Sequence, residues 1–155
     1  MLSLPVVLAA RGLVPRLRGQ RQGSSEEKYC LVAADSAPDP RRVAVVGALD
    51  LLGREGTNAF VQRLVGGKPK VERVTKVEDL LPLLQMQRAE AILLPSRLFA
   101  ELKAASRMNL AQRELTEAVG LPAVASLTAV GADVAQSLSR LPPALVKALG
   151  VDGWR

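Results

Sequence analysis

The residues best placed to bind a small ligand lie in one stretch, Gly-Arg-Glu-Gly-Thr-Asn, which ends at Asn58. It follows the apolar run Val43 to Val46, which predicts a buried strand, and a segment with helical spacing comes next. We predict that this helix begins near Thr57 or Asn58, where a side chain caps free backbone N–H groups. Glycine lets a ligand approach the backbone, and a helix N-terminus attracts negative charge. Gly56, Thr57 and Asn58 are therefore candidate ligand-binding residues, and an ordinary capped helix start is the alternative interpretation.

This stretch matches neither of the common nucleotide-binding motifs. No Gly-Lys-Ser or Gly-Lys-Thr follows the glycines, so a lysine for terminal phosphates and a hydroxyl for magnesium are both missing. The spacing of a Gly-x-Gly-x-x-Gly loop is missing as well. Ser96, which follows a second apolar run, is a further ligand-binding candidate of the same kind, and a helix cap is its alternative role.

The composition argues against catalysis. The chain has no histidine, which removes the usual general base and the commonest zinc ligand. Cys30 is the only cysteine, and without an imidazole to activate it we expect it to face a core. Asp50 and Glu55 flank the glycine stretch, but two carboxylates without a histidine or a partner acid at a defined spacing are weak evidence for catalysis. We therefore predict a non-enzymatic protein with no catalytic residues, no bound metal and no cofactor.

The positive charge is unevenly distributed. The formal net charge of the 155 residues is +6, but residues 1 to 23 hold four arginines and no acid, leaving only +2 for the rest. Aromatic residues make up 3% of the chain, and a nucleic-acid surface normally interleaves aromatics with its basic residues. We therefore predict no nucleic-acid partner. No apolar run approaches the roughly twenty residues of a membrane span.

From Arg42 onward, strand patterns alternate with helix patterns. Strands are predicted at Val43 to Val46, at Val71 to Val74 and at Ala91 to Leu94, separated by helical segments. Such alternation predicts an α/β fold with a mainly parallel sheet and helices on both faces. Two prolines and two aspartates between Asp35 and Pro40 mark the best candidate boundary. We therefore predict an N-terminal part at residues 1–40 and an α/β domain at residues 41–155.

Several shorter segments carry their own predictions. A capping box at Thr75 to Glu78 predicts a helix from about Val77 to Arg88. Because Pro82 removes a backbone hydrogen bond, this helix either kinks there or starts near Leu81. The remaining predictions are a helix end at Gly66, a helix from about Arg97 to Ala105, an extended segment from Asn109 to Thr116, a strand from Leu121 to Thr128, a helix opening at Gly131, and a final helix starting at Pro142-Pro143. The opening run Leu4 to Ala10 reads as a strand, as part of an arginine-rich transit-like segment, or as a weak signal peptide.

The order of these patterns resembles a known family. The segments that carry the resemblance are Arg-Val-Ala-Val-Val-Gly at Arg42 to Gly47, Gly56-Thr-Asn-Ala-Phe60, Leu80-Leu-Pro-Leu-Leu84, Glu90-Ala-Ile-Leu-Leu-Pro95 and Leu149-Gly-Val-Asp-Gly-Trp154. Together they resemble the second lobe of periplasmic substrate-binding proteins of the phosphate/phosphonate ABC-transporter type. Glu27-Lys-Tyr-Cys-Leu-Val-Ala33 is similar to the strand that leads out of the first lobe.

This resemblance implies a periplasmic-binding-protein-like (type 2) lobe that binds a small oxyanion and delivers it to an ABC transporter permease. Residues 1–40 are then a remnant of the first lobe or an N-terminal extension with the crossover loop, and residues 41–155 are the second lobe. It also implies that the front of the first lobe has no counterpart before Leu4, as in a truncated protein, and that a periplasmic location depends on a signal at the true N-terminus. Two alternatives are a ligand-sensing domain of the same fold and an organellar protein with an arginine-rich presequence.

Such a chain supplies one wall of a two-walled cleft, so we expect it to bind its ligand weakly by itself. Missing neighbours would also leave apolar strand edges at Leu4 to Leu8 and at Cys30 to Val32, through which the chain would self-associate.

Overall fold

The computed structural model describes residues 1–125 and 132–155, which form two compact units. One unit combines Met1–Glu27 with Val119–Arg155, and the other is Lys28–Ala118. The sequence predicted a division after residue 40, whereas the two units of the structure meet after Glu27 and after Ala118. The Asp35-to-Pro40 loop lies within the second unit.

The described residues form strands and helices that alternate regularly in the middle of the chain. The strands are β1 (Leu2–Ser3), β2 (Pro15–Gln20), β3 (Glu26–Ala34), β4 (Val45–Leu49), β5 (Lys70–Val74), β6 (Ala91–Pro95), β7 (Leu110–Gly120), β8 (Ala123–Ala125) and β9 (Gly153–Trp154). The helices are α1 (Pro5–Ala10), α2 (Gly53–Val65), α3 (Leu80–Gln85), α4 (Phe99–Ala105), α5 (Ala132–Ser139) and α6 (Pro143–Leu149), with 3-10 turns at Val77–Asp79 and Ser96–Leu98.

The second unit is built on a five-stranded sheet with the order β5-β4-β6-β3-β7. Strand β4 runs parallel to both β5 and β6, whereas β3 runs antiparallel to β6. The three strands predicted from the apolar runs therefore lie in one sheet and are parallel, which confirms the α/β prediction. The extended segment predicted at Asn109 to Thr116 is confirmed as part of β7.

Helices cover both faces of this sheet, as predicted. On one face, Leu83 of α3 belongs to a buried cluster with Cys30 and Ile92. On the other face, Phe60 of α2 meets Tyr29 of β3 edge-on, with the ring centroids 5.9 Å apart. Tyr29 and Cys30 are consecutive in β3, so their side chains point to opposite faces. The two helices therefore pack on opposite sides.

Helix α2 begins four or five residues earlier than the sequence predicted. It starts at Gly53, with Leu52 before it, and not near Thr57 or Asn58. Gly53 has a φ of +74°, a left-handed conformation that turns the chain into the helix and favours glycine. The first glycine thus makes the turn, and Gly56 is already helical. The predicted helix end is confirmed at Gly66, which has a φ of +68° and donates its N–H to the Gln62 carbonyl at 3.0 Å.

Helix α3 starts at Leu80, which agrees with the alternative prediction of a start near Leu81, and it ends before the predicted Arg88. The chain forms a 3-10 turn at Val77–Asp79 and then the helix Leu80–Gln85, which places Pro82 in the first helical turn. Proline is tolerated there because the N–H groups of a first turn lack intrahelical acceptors. The predicted capping box is wrong, since Lys76 precedes the turn and no side-chain cap hydrogen bond forms. The predicted helix from Arg97 is likewise a 3-10 turn followed by α4.

The first unit contains an antiparallel sheet with the order β1-β8-β2-β9. The strand predicted at Leu4 to Ala10 is wrong, because Pro5 opens the helix α1 instead. The final helix after Pro142-Pro143 is confirmed as α6. Strand β8 covers the middle of the strand predicted at Leu121 to Thr128. Leu121 and Pro122 come before β8 and are not in a strand, whereas residues 126–128 and Gly131 lie outside the described residues.

The apolar edges predicted for self-association are not exposed. Leu8 is fully buried and packs with Ala123 and Ala125, while the residues Cys30 to Val32 are fully buried in a strand with neighbours on both sides. Among residues 1–125 and 132–155, no helix has both the length and the apolar character to span a membrane.

Candidate functional site

The candidate site lies at the edge of the second unit's sheet where the parallel strands end. Asp50 directly follows β4, and its backbone N–H donates to the Val74 carbonyl at 2.8 Å, so β4 and β5 end side by side. Ser96 directly follows β6, the parallel neighbour on the other side of β4. In open α/β sheets, ligands bind outside this edge. The structure thus puts the segment after β4 and Ser96 on the same edge of the sheet.

The carboxylate of Asp50 is the centre of a polar cluster at this edge. Arg73 of β5 donates from Nη1 to Asp50 Oδ2 at 2.6 Å, and the Thr57 hydroxyl donates to Oδ1 at 3.1 Å. The side chains of Asp50 and Arg73 are 25% and 27% exposed, so the pair is accessible to a ligand. A cation, an anion and a hydroxyl therefore meet within one hydrogen-bonded group.

Thr57 lies within α2 and does not cap its start, in contrast to the predicted helix start near this residue. It is the fifth residue of α2 and fully buried, and its Oγ1 accepts the Leu52 N–H at 3.1 Å. Because the same hydroxyl also donates to Asp50, it ties the strand end, the turn and the helix together. Thr57 thus holds the segment after β4 in place, and Asp50 is the partly exposed residue of this segment.

Gly56 also serves the chain itself. A Cβ atom at this position would lie 2.6 Å from the Cβ of Leu52, closer than real Cβ contacts allow. The absence of a side chain therefore lets the turn before α2 fold back tightly against the first helical turn. The prediction that Gly56 admits a ligand to the backbone stays a prediction.

Two of the predicted residues have polar atoms without partners. Asn58 Oδ1 and Ser96 Oγ are both inaccessible to solvent, and neither has an ordinary hydrogen bond to any of the described residues. Buried polar groups are normally paired because an unpaired one costs free energy. Both oxygen atoms therefore have unused hydrogen-bonding capacity, although each is closed to solvent in this structure. The sequence selected both of them.

The Ser96 hydroxyl lies near the thiol of Cys30, which is fully buried. Burial raises the pKa of the Cys30 thiol to about 11, the nearby Ser96 hydroxyl partly offsets this, and the charge of Glu114 raises it further. The thiol is therefore neutral near pH 7 and a poor nucleophile. This agrees with the prediction that Cys30 faces a core.

Sequence reasoning missed the contribution of Arg73 and gave Asp50 only a weak catalytic interpretation. The available signal was the position of the two residues, since Arg73 is the penultimate residue of a strand parallel to β4 and Asp50 comes directly after β4.

Within the part of the chain that the structure describes, no group of three or more acidic, cysteine or histidine residues is arranged to hold a metal ion. The arrangement is suited to binding polar groups.

Comparison with known proteins identifies the fold. No protein-family model matches the sequence, and no curated protein matches it significantly. Among solved structures, holo ArgBP from T. maritima matches with a TM-score of 0.56 and 17% identity, over 96% of this chain and 66% of that one. The periplasmic VFT2 domain of BvgS from Bordetella pertussis matches with a TM-score of 0.55 and 12% identity, over 97% of this chain and 64% of that domain.

A third structure, the substrate-binding protein of an amino acid ABC transporter, matches with a TM-score of 0.50 and 14% identity, over 80% of this chain and 62% of that one. The chain thus has the α/β fold of periplasmic substrate-binding and sensor domains, and it spans slightly under two thirds of the length of these structures. None of the three is described as binding phosphate or phosphonate, so that part of the resemblance is unconfirmed.

Proposed function

We propose that this chain is a non-enzymatic solute-binding domain whose second unit, Lys28–Ala118, holds a small polar ligand. The observation that carries the proposal is the Asp50–Arg73–Thr57 cluster, which is partly exposed where the parallel strands end. The unpartnered polar atoms of Asn58 and Ser96 lie on segments that leave the same edge. Gly56, Thr57, Asn58 and Ser96 remain the proposed binding segment, with Asp50 and Arg73 added to it.

The ligand class follows from what the cluster offers. Arg73 favours a carboxylate or phosphate, Asp50 favours an ammonium group, and an amide or hydroxyl such as those of Asn58 and Ser96 can pair with either. An amino acid carries both charged groups, and two of the similar structures are described as ArgBP and as part of an amino acid ABC transporter. An amino-acid-like ligand is therefore our first candidate, and a small oxyanion such as phosphate or phosphonate is the second.

The partner follows from the role. A solute-binding domain hands its ligand to an ABC transporter permease, which would place this chain outside the cytoplasmic membrane. The similarity to a BvgS sensor domain supports a second candidate role, in which ligand binding is signalled and the ligand is not transported. A test of the two roles is whether a permease co-purifies with the ligand-loaded protein.

The experiment for the binding site is calorimetric titration of the full chain with the twenty amino acids, inorganic phosphate and methylphosphonate. Asn58→Ala should weaken binding of whichever ligand is found by roughly 1–3 kcal/mol, because it removes a hydrogen bond to a charged group. Asn109→Ala is the matched control, since Asn109 is exposed and precedes β7. Binding to none of these compounds contradicts the proposed function. Binding that Asn58→Ala leaves unchanged contradicts the proposed position of the site.

A further inference from the structure

The distribution of charge around Asp50 bears on which ligands the site accepts. The donors next to the Asp50 carboxylate, Arg73 Nη1 and the Thr57 hydroxyl, are both already bound to it. An anion that approached Arg73 would therefore meet the Asp50 carboxylate, which already occupies the position where an anion would bind. We propose that Asp50 is a specificity-determining residue that excludes simple oxyanions and receives a ligand's ammonium group. This inference rests on the proposed function.

The carboxylate has capacity left for such a group. Its two oxygens offer about four acceptor positions, and the contacts from Arg73 and Thr57 occupy one on each oxygen. A quarter of the Asp50 side chain is exposed, so the carboxylate is partly open to an added group. Because the two contacts fix both oxygens, the acceptor is held in place before a ligand arrives.

The net charge of the cluster points the same way. Arg73 and Asp50 form a neutral pair at 2.6 Å, so the cluster offers a dianion no excess positive charge. Phosphate would have to displace Asp50 from Arg73 or bind beside a like charge, and either costs affinity. A zwitterion avoids this conflict because its ammonium group faces Asp50 while its carboxylate shares Arg73, a guanidinium with five donors.

The test is a calorimetric titration of the full chain with the twenty amino acids and with inorganic phosphate, before and after Asp50→Asn. The substitution keeps the shape of the side chain and removes its charge. We expect the wild-type protein to bind an amino acid and no phosphate. In the variant, amino acid affinity should fall about tenfold or more, as for loss of a charge-assisted hydrogen bond, and the ratio of phosphate to amino acid affinity should rise.

Glu72→Gln is the matched control. Glu72 is a carboxylate of β5 that, like Asp50, is held in ion pairs, here with Lys70 and Arg88. It points to the opposite face of β5 from Arg73, so its substitution should leave both affinities unchanged. Arg73→Gln is the second variant and covers the case in which Asp50→Asn does not fold. It leaves Asp50 charged without its cation, so the cluster becomes negative. A cationic amino acid is then favoured over a neutral one, and the ratio of the protein's affinity for L-arginine to that for L-alanine should rise at least severalfold.

The outcomes separate this inference from the proposed function. An amino acid that binds equally well to the wild-type protein and to folded Asp50→Asn overturns the role of Asp50 and leaves the binding function intact. The same holds if wild-type protein binds phosphate as tightly as an amino acid, or if Arg73→Gln leaves the preference for L-arginine unchanged. Wild-type protein that binds neither class overturns both proposals.

Discussion

The second unit leaves its sheet in two different ways at one edge. After β4, the chain enters α2 through a turn held by side-chain hydrogen bonds from Thr57 and by the ion pair of Asp50. After β6, it enters a 3-10 turn in which the Ser96 hydroxyl makes no ordinary hydrogen bond and lies near a buried thiol. The first junction is held by an ion pair and by hydrogen bonds, whereas the Ser96 hydroxyl at the second makes no ordinary hydrogen bond. Polar residues after two parallel strands thus differ, since some hold the backbone of the junction and others do not.

The largest expected difference concerns the thiol at the second junction. Its pKa is raised from 9.0 to about 11, so at pH 8 the folded protein holds about 100-fold less thiolate than an unfolded chain. Cys30 should react with a disulfide reagent at least that much more slowly in native protein than in denaturant. Equal rates would mean that this junction is open to solvent.

The same shift predicts a dependence of stability on pH. The folded pKa lies above the unfolded one, so the contribution of the neutral thiol is fully present below pH 9.0 and is lost as the pH rises toward about 11. The difference in unfolding free energy between wild-type protein and Cys30→Ala should therefore be constant below pH 9 and shrink above it. Urea titrations at a series of pH values measure this difference.

The next largest effect is expected at the first junction. Thr57→Val keeps the shape of a fully buried side chain but removes its bonds to Leu52 and Asp50. We expect a loss of roughly 1–3 kcal/mol in unfolding free energy, since a backbone N–H loses its partner. Thr116→Val, at an exposed position in β7, is the control and should stay within about 0.5 kcal/mol. Equal effects of the two substitutions would show that Thr57 does not hold the junction.

The sequence predicted the second unit's sheet well because its signals are local. Apolar runs such as Ala91 to Leu94 are typical of strands buried on both faces, and glycine at Gly66 marks a helix end. It failed at Pro5, where an apolar run of β-branched and small residues folds as a helix after proline. Single-segment patterns do not separate these two outcomes when the run is short.

The candidate site could be predicted only in part. Asn58 and Ser96 were selected because they come after apolar runs, and their role in ligand binding stays a prediction, although a side-chain oxygen of each lacks an ordinary hydrogen bond. Arg73 was not, because its contact with Asp50 depends on the register of β5 against β4, which no local pattern reveals. The start of α2 was predicted near Thr57 or Asn58, whereas the left-handed turn into the helix is at Gly53.

The smallest expected effect sharpens the contrast between the junctions. Ser96→Ala removes a hydroxyl without an ordinary hydrogen bond, so the unfolding free energy should change by less than about 0.5 kcal/mol, in contrast to Thr57→Val. The same change removes the group that partly offsets the rise of the Cys30 pKa, so that pKa should increase further. Ultraviolet titration of the thiolate measures this shift. A large loss of stability in Ser96→Ala would show that the second junction is also held by its side chain, and that Ser96 is a structural residue rather than one reserved for a ligand.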